Sequence, residues 1–158
     1  MPYGREIFWV RELQYLKTEF EIFGSALPPQ DVTKEPFFRI EKAMYYSAFT
    51  LRKLIEASRI SKELKKLRLN CEVHPSQDQP QVIDGIVSFC YGSYAVTHKT
   101  FLLRQVCDEL VHAADFMVIG YVDNLIFASD KNMKTRYLSL KLSDWLAVIN
   151  KAISIPEV

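Results

Sequence analysis

The chain has 158 residues, of which 49% are hydrophobic and 25% charged, and its formal net charge is +1 at pH 7. This composition is typical of a globular domain and excludes a largely disordered chain. The low net charge gives no general affinity for polyanions, so nucleic-acid binding would need a local cluster of cationic residues. The three cysteines (Cys71, Cys90 and Cys107) are widely spaced, which predicts reduced thiols in a cytoplasmic protein. We expect no secretory signal and no membrane-spanning segment, because charged residues interrupt the N-terminal apolar residues and every apolar run is short.

The first predicted elements are helices within residues 6–67. Apolar residues from Glu6 to Phe23 recur at alternating steps of three and four, which predicts an amphipathic helix. Residues 24–33 contain a Pro-Pro pair and form a predicted linker. Thr33 is placed to cap a second, long helix that runs to about residue 67 and bends near Ser58 or Ser61.

The middle of the chain is less regular. Residues 70–81 carry two prolines and predict a loop or at most a short edge strand. Residues 82–96 fit a helix or a strand, and we favour a helix for the first half. The amphipathic sequence LRQVCDELVHAADF, residues 103–116, predicts a helix from about Thr100 to Ala114. This helix should bury Val106, Leu110 and Val111 and expose Glu109.

Strands are predicted near the C-terminus. Residues 116–140 contain three segments rich in β-branched and aromatic residues, separated by turn-like sequences, which indicates a small antiparallel meander. Ser143 should cap a last helix over residues 143–154. The predicted fold class is mainly α (α+β), a helical bundle with a small antiparallel β-meander near the C-terminus. We expect one domain over residues 1–158, with N-terminal helices in 6–67, further bundle helices in 82–114, the sheet in 116–140 and the last helix in 143–154.

The helix predicted around residue 108 carries the candidate site. At about 100° per residue, Arg104, Asp108 and His112 fall within an arc of about 80° on its polar side. One interpretation is a solvated face with ion pairs at four-residue spacing. The other is an active site, and the spacing alone favours the solvated face because catalytic helices are few.

The string Cys-Asp-Glu-Leu-Val-His, residues 107–112, resembles the signature of HEPN domains, the "higher eukaryotes and prokaryotes nucleotide-binding" superfamily of helical bundles. In that signature an arginine and a polar residue precede a histidine on one helix. Asp108 matches the polar residue and His112 the histidine. Cys107 stands in the arginine position, and Arg104 lies one turn upstream. Residues 37–67 resemble a HEPN core helix.

The resemblance implies an RNA- or nucleotide-binding protein and a metal-independent endoribonuclease of a defence or toxin system, with Arg104, Asp108 and His112 as its site. It also implies a homodimer with His112 beside the interface, and a cognate antitoxin or other partner protein. Histidine suits such chemistry because it exchanges protons near neutral pH, and a guanidinium stabilises charge on a phosphate. The alternative is a non-catalytic homodimeric interaction protein that has lost this chemistry.

Two other sequence patterns give weaker support for a functional site than the helix around residue 108. Cys71 and His74 could form a zinc site with Cys107 and His112, but the last two would point about 140° apart on a helix. We therefore expect no metal and no cofactor.

Residues 52–68 hold seven basic and two acidic residues, which could form a nucleic-acid surface. Their signs alternate at helical spacing, however, which favours an exposed face with salt bridges.

Overall fold

The structure is a computed structural model that describes residues 5–24, 35–56, 61–75, 80–83, 86–89, 96–119, 124–132 and 134–155. Its helices are α1 (Glu6–Gly24), α2 (Glu35–Glu56), α3 (Ser61–Lys66), α4 (Leu103–Val111) and α5 (Leu142–Ser154). Its strands are β1 (Arg68–Pro75), β2 (Pro80–Ile83), β3 (Ile86–Phe89), β4 (Thr97–Leu102), β5 (Ala113–Ile119), β6 (Asn124–Ser129) and β7 (Arg136–Lys141). The fold class is α+β with a larger helical part, as predicted. Within the described residues, no helix combines the length and apolar character needed to cross a membrane.

Five strands form one antiparallel sheet in the order β4-β1-β7-β6-β5. The predicted meander is present as β5, β6 and β7, and β1 and β4 extend it. The prediction of a loop or edge strand at 70–81 is wrong for its first part, since β1 pairs with β4 on one side and β7 on the other. Leu69 and Cys71 are buried while Asn70 is exposed. This alternation is the strand pattern, and the prolines at 75 and 80 obscured it.

The prediction of bundle helices throughout 82–114 is also wrong. Residues 80–83 and 86–89 form a separate two-stranded sheet, β2 with β3. The predicted helix at 100–114 is α4 alone, only nine residues long. At its start Phe101 pairs with Leu69 in the sheet, and at its end Ala113 pairs with Ser129. Strand pairing takes the backbone groups that two further helical turns would have used.

The N-terminal helices pack as an antiparallel pair. The rings of Trp9 and Phe49 are 6.0 Å apart, and the Arg39 guanidinium lies 5.6 Å from the centre of the Phe23 ring. The predicted long helix at 37–67 corresponds to α2 and α3. The bend was predicted near Ser58 or Ser61; Ser61 is the first residue of α3, while Ser58 and the predicted cap at Thr33 lie outside the described residues.

The main core lies between the helices and one face of the sheet. Trp145 in α5 is fully buried, and its indole N–H donates to Ser47 Oγ in α2 at 2.9 Å. Helix α5 begins at Leu142 with Lys141 as the flanking residue and has no side-chain cap, so the predicted Ser143 cap is wrong. On the other sheet face, Ile126, Ala128 and Tyr137 form a second buried cluster. The sheet is therefore buried on both faces near its centre, where it supports α4.

Candidate functional site

Helix α4 is anchored at its start by two hydrogen bonds. The Leu103 N–H donates to the Leu67 carbonyl oxygen at 2.9 Å, and the Leu102 N–H donates to Gln105 Oε1 at 2.9 Å. These bonds satisfy amides that a helix leaves unpaired at its N-terminus. Val106 and Leu110 are buried as predicted, whereas Val111, which was also expected to be buried, is half-buried. The apolar stripe therefore fixes the rotation of α4 about its axis.

The prediction that Glu109 is exposed is wrong. Glu109 is only 8% exposed, and its carboxylate accepts hydrogen bonds from the Ser129 N–H at 3.1 Å, the Asn132 side-chain amide and Arg136 Nη2 at 3.1 Å. A buried carboxylate is tolerated because a cation and several donors replace its hydration. Glu109 thereby fastens α4 to the turn between β6 and β7.

A cleft of about 530 Å³ lies between α4, β4 and the β6–β7 turn, and we call it the α4 cleft. Its lining residues are Phe101, Gln105, Asp108, Glu109, His112, Ser129, Asp130, Lys131, Asn132 and Arg136. Two of the three predicted site residues, Asp108 and His112, therefore line a common cleft. Arg104 is exposed and does not line it.

Asp108 is held by a residue from another helix. Its Oδ1 lies 3.4 Å from Arg52 Nε, and Arg52 Nε also lies 3.4 Å from Glu56 Oε1. The ion pair with Arg104 that the spacing suggested is not among those the described residues form. Arg52 thus neutralises Asp108 and connects α2 to α4. The Arg52–Glu56 pair also agrees with the salt-bridged face expected for this part of α2.

The backbone of His112 ties the end of α4 to the cleft wall. Its N–H donates to the Asp108 carbonyl oxygen at 3.2 Å, and its own carbonyl oxygen accepts from the Asp130 N–H at 3.2 Å. The imidazole is exposed, and within the described residues it forms no hydrogen bond or ion pair. The imidazole is therefore available to a ligand that enters the cleft.

The guanidinium in the α4 cleft comes from Arg136, which the sequence did not identify. Besides its bond to Glu109, it lies 5.4 Å from the centre of the Phe101 ring, a cation–π distance. Its side chain remains 28% exposed. Arg136 is 24 positions beyond His112 in sequence, and only the return of β7 beside β6 brings it to α4. No local spacing could have revealed this contact.

The described residues contain no group of three histidine, cysteine or acidic side chains that could hold a metal ion. The zinc alternative required Cys71, His74, Cys107 and His112 to converge. Cys107 is instead fully buried in the main core, whereas His112 is exposed at the end of α4.

We predict that Cys71 and Cys107 resist alkylation in the folded protein. Burial raises the pKa of the Cys71 thiol to about 12 and raises that of Cys107 further. Both thiols are thus protonated at pH 8, and the thiolate is the reactive species. Mass spectrometry after iodoacetamide treatment should locate no label on either residue until denaturant is added. Rapid labelling of Cys107 in native buffer would contradict the burial.

No family model matches the sequence, and no curated protein or solved structure matches the chain.

Proposed function

We propose that the α4 cleft binds RNA or a nucleotide and that His112 takes the proton of the ribose 2′-hydroxyl in a metal-independent cleavage of RNA. The observation that carries this proposal is the position of His112 in a cleft that also holds Lys131, Asn132 and Arg136. These side chains supply a proton acceptor, two cations and an amide within one cavity. The same combination suits a phosphodiester and its ribose.

Three carboxylates (Asp108, Glu109 and Asp130) and two cations (Lys131 and Arg136) line the α4 cleft, and Arg52 beside it makes the charges equal in number. Arg52 pairs with Asp108, and Arg136 pairs with Glu109. The affinity for RNA should therefore depend more on specific hydrogen bonds than on net positive charge. Salt should weaken binding less than it does for a basic nucleic-acid-binding protein. Arg136 and Lys131 take the phosphate-binding role that the HEPN resemblance implied for Arg104.

The proposed reaction is a transesterification. His112 accepts the 2′-hydroxyl proton, the 2′-oxygen forms a bond to the adjacent phosphorus, and the bond from phosphorus to the 5′-oxygen breaks. The leaving 5′-oxygen takes a proton from water, and the product carries a 2′,3′-cyclic phosphate. Arg136 stabilises the added negative charge on the phosphate. Under this proposal the protein acts in the cytoplasm, where the Cys71 and Cys107 thiols stay reduced.

A relationship to HEPN domains is part of this proposal. It is supported by the packing of α2 against α4, the two helices that carry the resemblance, through the Arg52–Asp108 contact. The five-stranded sheet is an addition to the HEPN bundle. A HEPN origin would therefore mean that the sheet now supports the short helix that bears His112.

We expect the wild-type protein to cleave a labelled, unstructured RNA in EDTA, and His112→Ala to lower the rate by about 100-fold or more, which is the usual contribution of a general base. The matched control is His98→Ala, because His98 is exposed on β4 and lies outside the α4 cleft. This control should keep full activity, and both variants should have wild-type thermal melts.

Three outcomes would count against the proposal. Equal loss of activity in both variants would refute the role of His112. Binding without cleavage would refute the catalytic step and favour the non-catalytic interaction protein. Absence of both binding and cleavage in the wild-type protein would overturn the proposal as a whole.

A further inference from the structure

Among the residues whose side-chain burial the structure describes, the large hydrophobic side chains that are exposed lie on the two N-terminal helices. Those with the largest exposed fractions, from 44% to 64%, are Phe8, Tyr15, Ile22, Phe38, Tyr45 and Tyr46. All six lie on α1 or α2, and we call them the α1–α2 surface. Soluble monomers rarely group exposed apolar residues in this way, and such groups mark interaction sites.

The spacing within the α1–α2 surface indicates a helical partner. Phe8, Tyr15 and Ile22 are seven residues apart on α1, and Phe38 and Tyr45 are seven apart on α2. A seven-residue repeat keeps side chains along one line of a helix and is typical of the seam between packed helices. Different side chains pack in the core, and on α1 these include Leu13, Leu16 and Phe20.

The two rows lie side by side. Arg39 Nη1 is 4.0 Å from Glu19 Oε1, and the Trp9 and Phe49 rings are 6.0 Å apart. The residue numbers sum to 58 at both contacts, so α1 and α2 run antiparallel. Ile22 is therefore nearly level with Phe38, and Tyr15 with Tyr45. The outer face of the helix pair is about 28 Å long, which is the length of α1, and about 20 Å wide, so it has about 560 Å² per copy. Two copies that cover the whole face would bury about 1,100 Å², just above the minimum of about 1,000 Å² for a specific interface.

The charges around the α1–α2 surface suit a second copy better than a charged partner. The exposed residues Arg11 and Glu12 on α1 and Glu41 and Lys42 on α2 have no net charge together. Arg11 lies 5.9 Å from the centre of the Phe8 ring, and Lys42 Nζ lies 5.8 Å from that of Tyr46. A two-fold interface must be complementary to itself, which a surface with both signs of charge allows.

We infer that a second copy of this chain docks on the α1–α2 surface and forms a homodimer through two pairs of helices. The HEPN resemblance implied a homodimer with His112 beside the interface, whereas this surface contains no residue of the α4 cleft. The inference therefore stands independently of the proposed RNA site. Each subunit would keep its own open cleft.

Sedimentation equilibrium over about 1 to about 100 μM tests this inference directly. We expect a mass twice that of the 18.4 kDa chain for the wild-type protein. Tyr15→Glu and Ile22→Glu should each raise the dissociation constant by at least about tenfold, because each buries a charge in the interface. Ala147→Glu places the same charge at an exposed position on α5 and should leave the dimer intact.

Thermal melts confirm that the variants remain folded, which is expected because both side chains are exposed. A wild-type monomer throughout the concentration range would overturn the inference. So would a dimer that neither substitution weakens, or binding of the surface to lipid vesicles by a protein that stays monomeric.

Discussion

Leu110→Ala is expected to lower the free energy of unfolding by about 2 to 5 kcal/mol. Leu110 is only 2% exposed and belongs to the main core, where α4 packs between α2 and β6. The substitution removes buried methyl groups and leaves a cavity that two packed elements cannot easily close. Urea denaturation followed by circular dichroism measures the change.

The control for this prediction is Arg104→Ala on the same helix. Arg104 is exposed and does not line the α4 cleft, so its replacement should change stability by no more than about 0.5 kcal/mol. If the two variants had equal midpoints, the rotation assigned to α4 would be wrong.

Glu109→Ala is expected to lower the free energy of unfolding by about 3 kcal/mol and to make the β6–β7 turn less stable. The substitution removes the acceptor for the Ser129 N–H, the Asn132 amide and Arg136, and leaves the Arg136 cation without its carboxylate. Hydrogen bonds to charged groups contribute about 1.5 to 3 kcal/mol each, and partial exposure of Arg136 limits the total. Hydrogen exchange of the Ser129 amide should become faster.

Two comparisons make this prediction specific. Glu109→Gln keeps an acceptor oxygen and should cost less than Glu109→Ala. Glu63→Ala removes an exposed carboxylate from α3 and should have little effect. A stability loss for Glu109→Ala no larger than that for Glu63→Ala would mean that Glu109 does not fasten the turn.

Sequence patterns correctly predicted the elements that depend only on residues close together in the chain. The start of α1 at Glu6 and the burial of Val106 and Leu110 follow from periodicity, because one apolar face settles each of them. The meander follows from composition, because its segments are rich in β-branched and aromatic residues and are separated by turn-like sequences. Elements that depend on distant partners were missed. Residues 97–102 form β4 only because β1 lies beside them, and β1 ends in Pro75, which favoured a loop.

The candidate site was predicted only in part, because some of its residues come together from distant parts of the sequence. Asp108 lies on α4 and His112 is the capping residue that follows it one turn later, so helical spacing alone grouped them. Arg104 also fitted the spacing, but the cleft opens toward the β6–β7 turn and not toward Arg104. Glu109 was assigned to solvent because its ion partner, Arg136, is 27 residues away in sequence. Whether a polar residue at the edge of the polar face of a helix is buried depends on the element that packs against that edge.

The most direct test of the proposed RNA site is an NMR titration of the labelled protein with a short unstructured RNA, with the imidazole resonances of His112 and His98 followed together. His98 lies outside the α4 cleft and serves as an internal reference. We predict saturable shifts of the His112 resonances and constant His98 resonances. Unchanged His112 resonances at saturating RNA, or equal shifts of both histidines, would contradict RNA binding in the α4 cleft.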